Sequence, residues 1–230
     1  MKVVILAGGK GTRLSEYTKK IPKPMVKINN IPIIVHIMKI YAKFGYKDFV
    51  IAAGFKSKII KKYFEKKILD WKIDVIDTGL NSMTGGRVKC LQKILNNEKF
   101  FLTYGDGVSN ININKLLKFH NQNKSTVTLT AVRPPARFGA IRIKGKKVTM
   151  FRGKSILDEG WINGGFFVVE PEIFKYIKND KTIFENYPLT KLGKEKKLFA
   201  LKHKSFWYCM DTVRDKEILE KNLKSILRFK

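Results

Sequence analysis

Val3-Val4-Ile5-Leu6-Ala7-Gly8-Gly9-Lys10-Gly11-Thr12-Arg13-Leu14 is the stretch whose reading decides the fold. Its first residues are aliphatic without alternation, the pattern of a parallel strand buried on both faces. The glycines behind them predict a tight turn through which backbone N–H groups can approach phosphate closely. The turn is not a P-loop, because Lys10 is followed by Gly11 and not by Ser or Thr. Nor is it a dinucleotide fingerprint: Leu14 stands where the third glycine belongs, and no acid closes a second strand about 20 residues further on. Some other arrangement must hold the phosphate, and Arg13 offers a planar fork for it. The glycines alone would equally suit a plain strand-to-helix turn.

Working outward, strand and helix patterns alternate. Ile33, Ile34, Ile37, Met38 and Tyr41 recur at helical spacing and predict a helix over 32–44. Residues 49–54 predict a second buried strand, and Ser57 a cap for a helix carrying Ile59, Ile60, Tyr63 and Phe64. Residues 73–77 predict a third strand. Thr84 opens a helix with Val88, Leu91 and Ile94, and residues 100–104 form a fourth strand ending in Gly105-Asp106-Gly107. The alternation predicts an α/β fold with a mostly parallel central sheet and helices on both faces. The second half is less regular. It predicts a strand over 126–132, a hairpin of 140–143 and 147–151 around Lys144-Gly145-Lys146, a strand over 166–169, a helix opened by Pro171, a strand over 198–203 and a closing helix over 213–228. No linker, repeat or low-complexity tract divides the chain. Residues 1–230 therefore read as a single domain whose smaller, β-rich C-terminal region supplies substrate contacts.

The composition, 44% hydrophobic and 29% charged over 230 residues, is that of a globular chain and excludes wholesale disorder, collagen and coiled coil. The longest uncharged apolar stretch, 28–38, is far short of the about 20 apolar residues a membrane span needs. Lys10 and Arg13 interrupt the N-terminal apolar run, so no secretory leader is expected. Cys90 and Cys209 form no disulfide or metal pattern, which suits the cytosol. Cys90, among apolar residues on a helix, is expected in the core. The net charge of +28 comes from 39 Lys and 8 Arg. A nucleic-acid reader is usually richer in Arg. The dispersed lysines read first as a solvated surface and second as a field attracting polyanions such as nucleotides.

A few residues stand out for chemistry. Lys23 lies between Pro22 and Pro24, which fix the backbone around one point charge. Asp106 and Asp211 each follow a strand, where ligands bind in open α/β sheets. Their oxygens suit Mg²⁺, which binds through one or two carboxylates plus substrate phosphates. Asp106 also fits a plain turn. Asp211 or Thr212 also fits a helix cap, with Asp215 near the third position. His36, His120 and His203 have no ligand-like spacing and read as structural. No Ser, His and Asp set announces nucleophilic catalysis.

Gly8-Gly9-Lys10-Gly11-Thr12-Arg13-Leu14 followed by Pro22-Lys23-Pro24-Met25 resembles the signature of sugar-1-phosphate nucleotidyltransferases. The similarity extends through Asp77-Thr78-Gly79, Ser82-Met83-Thr84-Gly85-Gly86-Arg87, Thr103 to Val108, Pro134-Pro135-Ala136-Arg137-Phe138-Gly139, Ile162-Asn163-Gly164-Gly165 and Met210-Asp211-Thr212-Val213-Arg214-Asp215. It is strongest to the branch that cytidylylates glucose 1-phosphate. The resemblance implies a Rossmann-like nucleotidyltransferase fold and Mg²⁺-dependent transfer from CTP to α-D-glucose 1-phosphate. It carries nucleotide contacts onto Leu6, Ala7, Gly8, Gly9, Lys10, Gly11, Thr12, Arg13, Lys23, Ser82, Gly85, Arg87, Gly105 and Asp106. Metal binding carries onto Asp106 and Asp211, sugar contacts onto Lys154, Asn163 and Gly164, and catalytic charge onto Arg13 and Lys23. It divides the work between 1–110, mainly for nucleotide, and 111–230, mainly for the acceptor and second metal ligand. It also implies a cytoplasmic homo-oligomer that neither spans a membrane nor binds a specific nucleic acid. Three features depart from the family: Gly153-Lys154-Ser155 stands where Glu-Lys-Pro is usual, Ala136 replaces a common Gly, and the segment at 66–72 is short. They keep open another acceptor or base. A basic nucleic-acid-binding or regulatory protein on the same scaffold is the remaining alternative.

Overall fold

A computed structural model describes residues 1–65, 70–135, 139–154 and 160–226. The chain runs β1 (Val3–Ala7), α1 (Ser15–Thr18), β2 (Lys27–Ile28), β3 (Ile31–Pro32), α2 (Ile33–Ala42), β4 (Asp48–Ala53), α3 (Ser57–Glu65), β5 (Lys72–Asp77), α4 (Thr84–Cys90), α5 (Gln92–Leu95), β6 (Phe100–Tyr104), β7 (Gly107–Ser109), α6 (Ile113–Asn123), β8 (Val127–Val132), β9 (Gly139–Lys144), β10 (Lys147–Lys154), β11 (Ile162–Val169), α7 (Tyr187–Lys194), β12 (Leu198–Lys202), β13 (Trp207–Cys209) and α8 (Val213–Ile226).

All five residues of β1 are buried, as an unalternating aliphatic run requires. It lies between β4 and β6, parallel to both. The whole sheet has the order β12-β8-β11-β6-β1-β4-β5. Among the described residues of this sheet, only β11 runs against its neighbours, β6 and β8. Alternate strand residues face two cores. Ile5, Phe101 and Phe166 pack with α2 and with Leu219 and Leu223 of α8 on one side. Val4, Leu102 and Phe167 pack with Val88 of α4, Leu95 of α5 and Leu189 and Leu192 of α7 on the other. Truncating one of these buried phenylalanines to Ala should cost about 3–5 kcal/mol.

Several local expectations change. The helix read from Thr84 breaks at Leu91, whose φ of −92° and ψ of 3° leave the helical region, giving α4 and α5. Pro171 opens a 3-10 turn, Pro171–Tyr176, and not an α-helix. β11 starts at Ile162 because Ile162 and Asn163 pair with Val132 and Ala131, ahead of an irregularity at the two glycines. The polar helices α6 and α7 are additional. The Asn112 side chain accepts the Lys115 N–H (2.9 Å) and caps α6. Cys90 is exposed and not in the core, because the core face of α4 is filled by Gly85, Gly86, Arg87 and Val88. Ser57 donates to Asp77 Oδ2 (2.7 Å) and ties the start of α3 to the end of β5. Residues 66–69, Ala136-Arg137-Phe138 and Ser155 lie outside the described residues, and of the Lys154 side chain nothing is described.

Candidate active site

The C-terminal ends of β1 and β6 open into a cleft of about 570 Å³. The loop after β1 is shaped by two glycines for two different reasons. Gly11 sits at φ +64°, in the left-handed region, and a Cβ there would meet Lys23 Cβ at 2.9 Å. A Cβ on Gly8 would lie 2.1 Å from the Arg87 guanidinium carbon. The loop therefore closes over the Lys23 stem on one side and over Arg87 on the other.

Lys23 is held as its prolines predict. Pro22 is extended, and Lys23–Met25 form a 3-10 turn closed by the Met25 N–H on Pro22 O (2.8 Å). The Lys23 ammonium reaches Asp106 Oδ2 at 2.6 Å and Asp211 Oδ1 at 2.8 Å. Burial alone would lower its pKa, but Asp106 and Asp211 outweigh that and push it up to about 12. Arg13 donates to the other Asp211 oxygen at 2.8 Å while remaining largely exposed.

The two aspartates meet although 105 residues separate them. β13 pairs antiparallel with β7, aligning Cys209 with Gly107, and the Met210 N–H closes on Asp106 O (3.0 Å). The helix-cap reading falls to Thr212 and Asp215. Asp215 Oδ2 accepts the Asp211 and Thr212 N–H groups, and Thr212 Oγ1 accepts the Asp215 N–H. The Asp211 side chain is thereby left for Arg13 and Lys23. Ligand atoms of Asp106, Asp211 and Cys209 all lie within 4.8 Å of one another. Burial, then the nearby carboxylates, pushes the Cys209 thiol up, so the two carboxylates are the donors that fit a hard divalent cation.

Leu6, Ala7, Gly8, Gly9, Gly11, Thr12, Arg13, Lys23, Ser82, Arg87, Gly105, Asp106, Asn163 and Asp211 all line the cleft. Lys10 is exposed beside it. Gly85 serves packing, since a Cβ there would meet Thr182 O at 2.7 Å. Gly164 is backed by Val132, and its carbonyl accepts the Trp207 indole N–H at 2.7 Å. Arg87 borders the cleft but is 5% exposed, and its guanidinium binds carbonyls. It donates to Ala53 O, Thr78 Oγ1 and Gly79 O through Nη1, and to Gly8 O through Nη2, all at 2.7–3.1 Å. Burial holds its pKa below the usual value, with Asp77 opposing.

The three histidines are structural. His36 Nε2 donates to Ile28 O, His120 lies between Thr128 and Glu170, and His203 contacts Ser109 and Phe206 O. Sequence reading missed Tyr104, Trp207 and Cys209 as lining residues. The signal available for Tyr104 was its place at the end of β6, two residues before Asp106.

A family model described as Nucleotidyl transferase matches residues 2–219. The chain belongs to the nucleotidyl transferase family. It is 44% identical to glucose-1-phosphate cytidylyltransferase of Salmonella typhimurium, over 96% of this chain and 95% of that protein. It is 38% identical to a probable glucose-1-phosphate cytidylyltransferase of Bacillus subtilis, with the same coverage. Among solved structures, HddC from Yersinia pseudotuberculosis complexed with GMP-PN has a TM-score of 0.75 at 26% identity, over 97% of this chain and 99% of that one. Nucleotidyltransferases of this family generally use Mg²⁺. Among the described residues, no helix is long and apolar enough to cross a membrane.

Proposed function

We propose that the chain transfers a cytidylyl group from CTP to α-D-glucose 1-phosphate, forming CDP-glucose and pyrophosphate. The cytidylyltransferase relatives, matched over nearly their whole length, support the substrates. The observation that carries the chemistry is the Lys23 ammonium held between Asp106 and Asp211, with Arg13 on the outer oxygen, under a glycine loop.

A sugar 1-phosphate is mostly a dianion at neutral pH, its second pKa being about 6. Its oxygen is already nucleophilic, which fits a cleft without a histidine base. That oxygen attacks the α-phosphorus of CTP. The bond to the oxygen bridging the α- and β-phosphorus breaks, and pyrophosphate leaves with the electron pair. The difficulty is bringing two anions together, so the site's task is positioning and charge neutralisation. In this reading the N–H groups of the Gly8–Gly11 turn and Arg13 hold the triphosphate, while Lys23 neutralises charge that develops at the α-phosphoryl. Asp106 and Asp211 would hold Mg²⁺, which supplies further neutralisation of phosphate charge when bound. Residues 1–110 take the nucleotide, and 111–230 the acceptor through Asn163, Gly164 and Lys154.

We infer a homo-oligomer as well. Among the described residues the β9–β10 hairpin pairs only within itself. It exposes Ile141, Ile143, Val148 and Phe151, the last by 76%. A lone two-stranded hairpin is marginal in water, and an apolar face of this kind favours self-association. The free thiols of Cys90 and Cys209 suit the reducing cytosol.

Pyrophosphate release tests the reading, across five nucleoside triphosphates and a panel of sugar phosphates, each with Mg²⁺ or EDTA. A Mg²⁺-dependent signal confined to CTP and glucose 1-phosphate is expected. A signal with CTP and another acceptor would move the specificity, and silence across the panel would overturn the activity.

A further inference from the structure

Glu185, just ahead of α7, touches two residues of the cleft. Its Oε1 accepts from the Tyr104 hydroxyl and its Oε2 from Thr84 Oγ1, each in a short bond. Thr84 Oγ1 is itself fixed by the Phe184 N–H (2.9 Å). Tyr104 has one hydroxyl hydrogen, and Glu185 takes it. The phenol oxygen is therefore left as an acceptor, and it receives Asn163 Nδ2–H at 3.1 Å. Asn163 Oδ1 accepts the Gly165 N–H at 2.9 Å. An amide has two donors and two acceptor sites. These two bonds define which end of the Asn163 amide carries nitrogen, and they leave one N–H and one lone pair for a ligand. Tyr104, Thr84 and Asn163 line the cleft, and Glu185 reaches it only through them.

We propose that Glu185 is the positioning residue of the acceptor side. Through Tyr104 it presets the Asn163 amide to read a neutral sugar hydroxyl, by donating to that hydroxyl's oxygen and accepting its hydrogen. The inference rests on the cleft being the CTP and sugar-phosphate site. A fixed donor–acceptor pair discriminates hydroxyl orientation, because an epimer leaves both amide groups unpaired. Through Thr84 the same carboxylate anchors the start of α4, which lines the cleft through Thr84 and Arg87.

The test uses Glu185→Gln and Tyr104→Phe in the full chain. Tyr104→Phe removes one oxygen and keeps the edge-on ring contact with Phe167 (5.8 Å), so it preserves the fold if the glutamate variant does not. Loss of a charged hydrogen bond corresponds to about 10- to 100-fold. That loss is expected in KM for the sugar phosphate, with KM for CTP changed by less than about threefold. Discrimination between glucose 1-phosphate and its epimers should narrow. The double variant should be no worse than the worse single one, since the residues act in series. An unchanged acceptor KM, an equal rise in both KM values, or additive losses would each overturn the proposal. A second readout does not depend on turnover: the side-chain amide NMR signals of Asn163, identified by their loss in Asn163→Ala, should shift in both variants. Signals that stay in place refute the relay. If the wild-type chain turns over no acceptor while these signals shift, the activity reading fails and the positioning stands.

Discussion

Replacing Arg87 by Met separates two roles for a residue that borders the cleft beside the Gly8–Gly11 turn. Met keeps much of the stem volume and removes every donor. The guanidinium holds Gly8 O, Ala53 O, Thr78 Oγ1 and Gly79 O at 2.7–3.1 Å, joining the loops after β1 and β5 to the end of β4. A hydrogen bond to a charged group is worth about 1.5–3 kcal/mol, but four bonds to one group are not additive. Leaving a buried acceptor without its donor costs about 1–3 kcal/mol, so losing the whole set should cost about 3–5 kcal/mol. In a domain of this size each kcal/mol corresponds to about 2–4 °C, so the melting temperature should fall by about 6–20 °C. Gly8→Ala should give a loss of the same order, because its Cβ would occupy the guanidinium position. Thermal unfolding followed by circular dichroism, with and without CTP, measures both. An Arg87→Met protein that melts within about 2 °C of wild type while its KM for CTP rises steeply would refute the reasoning. The guanidinium would then serve the nucleotide first and the loops second.

Lys23→Ala should keep its fold and lose about 100- to 1,000-fold in kcat, the usual cost of removing one preorganised charged donor; near-normal pyrophosphate release would remove Lys23 from its role. Burial lowers the pKa of His36, His120 and His203, which are thus neutral in the fold and bind protons more readily when unfolded. Their contribution is present above the ordinary value of 6.5 and is lost as pH falls from there towards the lowered folded values. Thermal melts should therefore drop between pH 7.5 and pH 5.5, and a flat or rising melting temperature would contradict this. Phe151→Asp should lower the mass seen by light scattering without lowering the melting temperature of the sheet core; an unchanged mass would clear the hairpin of any part in assembly.

The sheet was legible because its strands are unalternating apolar runs: 3–7, 49–53 and 100–104 each carry their burial in their own composition. The helices α6 and α7 were not, since their polar faces hide a minority of buried anchors, Ile113 and Leu116 in one and Leu189 and Leu192 in the other. For the site, Gly11, Arg13 and Lys23 lie in one local stretch and could be read together. The meeting of Asp106 with Asp211 depends on the β7–β13 ladder, and three-residue strands carry too little pattern to announce their partner. Glu185 had no signal at all. Its importance comes from Tyr104 and Thr84, which approach it from two other parts of the chain.

The charge balance of the site explains why it takes this form before any substrate arrives. Two cations, Arg13 and Lys23, face two anions, Asp106 and Asp211, so the cluster is formally neutral. Lys23 is mostly buried, and an unpaired ammonium there would carry a desolvation cost. Pairing with two carboxylates offsets that cost and fixes the ammonium where the proposed reaction needs a positive charge. A neutral cluster is weakly attractive to a polyphosphate at long range, and the chain's net charge of +28 supplies that attraction instead. The two contributions scale differently with salt. At an ionic strength of 0.15 M the screening length is about 8 Å, which suppresses steering from the dispersed surface lysines and leaves the close pairs in the cleft largely intact. Raising salt should accordingly raise KM for CTP while kcat stays nearly constant. A kcat that fell in step with the loss of affinity would mean that the surface field, and not the preorganised cluster, stabilises the transition state.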